Sequence, residues 1–110
     1  MPLPPNRPMD PLLLKLGQAM FHYCDDNEKL PVGIIHSFTD TGNQTIGFPV
    51  LSLPAEARAS NSFAGELFFY RKAIPFYITV KGTAEICSRS PLYIRFAIEH
   101  LTVHELMANG

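Results

Sequence analysis

The sequence predicts a mainly β chain, folded as one small antiparallel barrel-like domain with one or two helices. Three observations carry this expectation. From Phe76 to Ile86 the residues alternate, with Phe76, Ile78, Val80, Ala84 and Ile86 on one face. Tyr77, Thr79, Lys81, Thr83 and Glu85 take the other, the period-two pattern of a half-buried strand. Eight Phe and four Tyr in 110 residues supply large buried areas without any Trp. Short apolar runs are separated by clusters of Gly, Pro, Asn, Asp and Ser, which are turn chemistry.

In chain order, residues 1–9 hold four prolines and read as an extended arm; residues 10–110 form the single domain. Asp10 is placed as a helix N-cap and Pro11 as its first residue. Leu12, Leu13, Leu16, Met20, Tyr23 and Cys24 recur at spacings of three and four. They predict a helix ending in Asp25-Asp26-Asn27, where acids oppose the helix dipole.

A hairpin follows. Val32 to Phe38 forms its first strand, Thr39-Asp40-Thr41-Gly42-Asn43 the turn, and Thr45 to Leu51 the return. Pro49 marks an edge or irregular end. Pro54 to Ser60 predicts one or two helical turns with Ser52 as cap, broken by Ser60-Asn61-Ser62. Leu67-Phe68-Phe69-Tyr70 is an aromatic strand, and Arg71 to Ile74 connects it to the long alternating strand. Gly82 falls on that strand's apolar face, where a missing side chain admits another backbone or a bend. In the tail, Leu92, Ile94, Phe96 and Ile98 alternate, and Leu101 and Val103 resume on a shifted register. A strand with a bulge near Glu99-His100 accounts for the shift better than a helix does.

The order of these parts resembles the FMN-binding split-barrel family, the pyridoxamine 5'-phosphate oxidase-like group. PFYITVKGTAEI (Pro75 to Ile86) resembles the family's glycine-centred strand, and IRFAIEHLTVHEL (Ile94 to Leu106) its last barrel strand. IIHSFTDTGNQTIGFPV (Ile34 to Val50) resembles one of its hairpins. The resemblance implies an antiparallel split β-barrel, a homodimer, and FMN held at the subunit interface in a flavin-dependent oxidoreductase. The family's Ser-Arg-Lys run falls on Ser52-Leu53-Pro54, where Ser52 alone matches; a second register offers Arg71-Lys72 as the basic pair. Ser52, Arg71 and Lys72 are thus the candidates for the flavin phosphate, and His36 and Ser37 for the ring. The alternative is a non-catalytic split-barrel dimer that binds another small molecule, or an interaction module.

Other classes have less support. A net charge of −1, with nine basic residues spread along the chain, gives no footprint for nucleic acid. No apolar run approaches a membrane span, and the proline-rich start has no signal-peptide core, so a cytoplasmic protein is expected. Cys24 and Cys87 belong to no Cys-x-x-Cys pattern and read as buried free thiols. His22, His36, His100 and His104 form no His-Glu-x-x-His motif, so no metal is expected.

Overall fold

A computed structural model of the chain describes residues 16–106. Seven strands and one helical turn follow in order: β1 (Ala19–Cys24), β2 (Lys29–Ile35), β3 (Thr39–Gly42), β4 (Thr45–Pro49), α1 (Ala55–Arg58), β5 (Ser62–Phe69), β6 (Phe76–Arg89) and β7 (Leu92–Glu105). They make one sheet in the order β2-β1-β5-β6-β7-β4-β3, and every neighbouring pair is antiparallel. The protein is mainly β, as the sequence predicts.

The sheet is rolled. Strands lie about 4.8 Å apart, so four steps across a flat sheet would set β1 about 19 Å from β4. Yet Phe21 of β1 and Phe48 of β4 meet edge to face with ring centroids 5.0 Å apart. Phe96 of β7 lies against both, at 6.1 and 6.4 Å. The interior is filled by Leu67, Phe69, Ile78, Val80, Ile94 and these rings, all inaccessible to solvent.

The two outer strands, β2 and β3, are consecutive in the chain and separated only by His36, Ser37 and Phe38. Four residue steps reach at most about 14 Å, whereas the edges of a flat seven-stranded sheet stand about 29 Å apart. Six antiparallel steps separate them, so β2 and β3 run in the same direction. They behave as one interrupted strand whose first part pairs with β1 and whose second pairs with β4. No ladder joins β2 to β3 directly.

The long β6 and β7 follow the expected pattern. Ile78, Val80, Gly82 and Ala84 face the core. Lys81 pairs with His100 and Gly82 with Ile98, which leaves Glu99 unpaired as the expected bulge. Leu101 then packs on the core again. A second bulge leaves Cys87 unpaired and exposed, so only Cys24 of the two free thiols is partly buried.

Three expectations are corrected. The portion of the predicted helix over 19–24 is strand β1, in which Ala19, Phe21 and Tyr23 are buried; residues 1–15 lie outside the described residues. Gly17, at φ 69°, is left-handed, so helical geometry does not run on from Leu16 into Ala19. Asp25-Asp26-Asn27 is instead the β1–β2 turn, where Asp25 Oδ1 accepts from the Asn27 and Glu28 amides, both at 2.8 Å.

The hairpin is also re-paired: Lys29–Ile35 joins β1, and the true hairpin is β3–β4. Its two-residue turn is Asn43-Gln44, with φ 52° and 63°. Two left-handed residues give the type I′ geometry that matches strand twist. Finally, α1 starts on Pro54 with no side-chain cap, so Ser52 does not cap it. Pro49 ends β4, as expected.

Candidate functional site

Among the hollows lined by the described residues, three lie on or beside the outer face of the sheet, and the registers explain what lines them. Ile34, Met20, Phe68, Thr79 and Thr102 are successive cross-strand partners through β2, β1, β5, β6 and β7. One row further, His22, Glu66, Lys81 and His100 are successive partners. Because alternate residues fill the core, both rows must face outward.

The largest of these three, about 570 Å³, is lined by Leu16, Gly17, Gln18, Tyr70, Arg71 and Lys72. Gly17 turns the chain into β1, and Tyr70 is the residue just beyond β5. Arg71 and Lys72 open a tight turn closed by the Ile74 amide on the Arg71 carbonyl at 3.1 Å. Ala73 sits third in that turn at φ 75°, the type II position that glycine usually fills. Two exposed cations are therefore held at the mouth of one hollow.

A smaller hollow of about 180 Å³ adjoins it, sharing Gln18 and Tyr70 and adding Ala19, Met20, Ile34 and Phe68. Ile34 and Tyr70 are half-exposed, at 51% and 42%. Cations at one end and an apolar, aromatic wall at the other is the arrangement that suits a planar ligand bearing a phosphate.

Of the predicted site residues, Arg71 and Lys72 line this hollow together. His36 and Ser37 are exposed and leave β2 from Ile35, which pairs with Ala19 at the same end of the sheet. Ser52 is elsewhere. It follows Pro49, the partner of Tyr93 near the start of β7, whereas Phe76 beside the Arg71 turn pairs with Glu105 at the other end. Gln18, Met20 and Ile34 were not signalled, because reading 10–24 as a helix hides which of them share a strand face.

On the second row, Glu66 is the buried acid, only 8% exposed, and accepts from Lys29 Nζ at 2.7 Å. That bond, more than any other influence, raises the Lys29 pKa. His22 Nδ1 is buried without a partner. Burial, and then the Lys29 charge, lower the His22 pKa, while Glu66 pulls the other way. Burial likewise raises the Cys24 thiol. A depressed histidine binds fewer protons folded than unfolded, so stability is full above the unfolded value of 6.5 and declines as pH falls through the folded value. Urea unfolding of the wild type should thus weaken from pH 7.5 to 5.5 more than that of His22→Gln. Equal losses in the two proteins would remove His22 from the account.

Among the described residues, no three His, Cys, Asp or Glu side chains are grouped to hold a metal ion. No described helix is long and apolar enough to cross a membrane. No family model matches the chain, and neither a curated protein nor a solved structure matches it.

Proposed function

We propose that the chain is a split-barrel protein that binds FMN, with the flavin phosphate at Arg71 and Lys72. The barrel reading rests on the interrupted strand β2–β3, which is paired to β1 at one edge and β4 at the other. Counted once, it makes the seven strands six staves around one core. The cofactor reading is carried by one observation: an adjacent cation pair shares a hollow with Tyr70 and opens onto Met20, Ile34 and Phe68.

Arginine and lysine would neutralise the phosphate dianion by charge-assisted hydrogen bonds, and the apolar wall would take one face of the ring. His36 and Ser37 follow Ile35 at the same end of the sheet and are the side chains assigned to the ring edge, while Gln18 lines both hollows. A bound flavin would supply hydride chemistry, while the chain supplies orientation and charge neutralisation. Ser52 has no part in this arrangement.

The phosphate claim has a direct test. FMN should bind at least about tenfold more tightly than riboflavin, and Arg71→Glu with Lys72→Glu should erase that preference. Equal affinity for the two flavins in the wild type would refute the phosphate assignment. A homodimer belongs to the same reading, since Ile34, Tyr70, Val103 and Leu106 leave apolar surface half-exposed. Sedimentation at micromolar concentration should give twice the 12.3 kDa chain mass; a monomer would count against the dimer.

A further inference from the structure

The third hollow lies on the outer face of β6 and β7, has a volume of about 430 Å³, and is lined by Thr79, Lys81, His100, Thr102 and His104. Its lining comes from two registered pairs, Lys81 with His100 and Thr79 with Thr102, two residues apart on each strand. Strand spacing and rise place these four at the corners of a rectangle of about 5 by 7 Å. One ammonium, one imidazole and two hydroxyls thus stand side by side on one face of the sheet around this hollow, with room for a tetrahedral oxyanion between them.

No carboxylate lines the hollow. Of the acids around it, Glu66, the cross-strand partner of Lys81, accepts from Lys29, and Glu99 accepts from the Thr83 hydroxyl, both at 2.7 Å. Glu85 is paired with Arg95 at 3.1 Å. Glu105, beyond His104, ends β7 and is exposed. The His104 ring is fixed as a wall, stacked on Tyr77 at 4.5 Å, with Nε2 and Thr79 Oγ1 3.1 Å apart. Through Tyr77 this wall continues to Phe68, with a ring separation of 5.0 Å. Phe68 lines the small hollow beside Tyr70, so an aromatic ridge divides the two regions.

We propose that this hollow binds the phosphate group of a small phosphorylated ligand, independently of the Arg71–Lys72 site. Lys81 supplies the fixed charge, His100 and Thr102 complete the donor set, Thr79 joins it in the tautomer where its hydroxyl accepts from His104 Nε2–H, and the remaining volume accommodates an organic body against His104.

Inorganic phosphate is the probe, titrated into the whole chain at constant ionic strength while the histidine side-chain resonances are followed by NMR. A saturable shift of the His100 resonances in the low millimolar range is expected. Lys81→Gln should weaken it at least about tenfold, and Thr102→Val should weaken it by less. Lys81 and Thr102 are exposed, so neither change threatens the fold. Arg71→Glu with Lys72→Glu should leave the titration within about twofold, which separates this site from the flavin reading. Absence of saturation to about 50 mM, or an unchanged shift in Lys81→Gln, would overturn the proposal. So would loss of the shift in the Arg71/Lys72 variant.

Discussion

Replacing Gly82 by alanine is expected to destabilise the protein by about 3 kcal/mol or more, well beyond an ordinary overpacking effect. A Cβ there would stand 1.9 Å from the Ala97 carbonyl oxygen and 2.9 Å from Phe96 Cε1. The first of these is backbone, and it belongs to the bulged stretch of β7 where Gly82 pairs with Ile98. Neither side can give way without breaking the ladder that turns the sheet around its core. Gly33→Ala is the control, because a Cβ there meets nothing within 4 Å. It should change stability by no more than about 0.5 kcal/mol. Denaturant midpoints for the two variants check the comparison, and similar losses would remove Gly82 from its place against β7.

Phe21→Ala should cost about 3–5 kcal/mol, the usual range for deleting a buried aromatic ring. Phe21 is fully buried and touches Phe48, Phe63 and Phe96, so it couples β1 to β4, β5 and β7 across the rolled interior. Met20→Ala should cost about 1 kcal/mol or less, since Met20 is only partly buried on the outer face. The pair separates two readings of one segment. A helix over 10–24 would put Met20 on its apolar face with Leu16 and Tyr23, making it the costlier loss. Strand β1 reverses the order, and thermal or urea unfolding of both variants measures it.

That reversal also locates where the sequence misleads. Met20, Tyr23 and Cys24 satisfy a helical spacing, but Ala19, Phe21 and Tyr23 satisfy a period of two equally well. Gly17 is the signal that decides locally, because a left-handed residue there keeps helical geometry from reaching Ala19. For β6 there was no such competition, whereas in β7 Ile94, Ala97, Ile98 and Leu101 also satisfy a helical face. Eleven alternating residues exclude a helical face in β6; in β7 the alternation resuming at Leu101 and Val103 favoured a strand slipped near Glu99-His100, where Glu99 is unpaired. The re-paired hairpin is a different failure. Periodicity identifies a strand and says nothing about its partner, and β2 crosses from one sheet edge to the other within three residues.

The candidate site was legible only in fragments. Arg71-Lys72 stood out as an adjacent cation pair, and the structure gives it a hollow. Its apolar neighbours Met20, Ile34 and Phe68 come from three strands and converge only through register. On a helix, His100 and His104 would share one face. On a strand they lie on the same outward face with Thr102 between them, and the side chains around them are hydroxyls and a lysine.

The central claim is that the hollow at Arg71 and Lys72 holds a flavin by its phosphate. It is tested most directly by titrating the purified chain with FMN and following flavin absorbance and fluorescence. The account predicts a saturable spectral change with one flavin per chain and a dissociation constant in the micromolar range or below. A flavin spectrum that stays that of free FMN up to about 100 μM protein would contradict it.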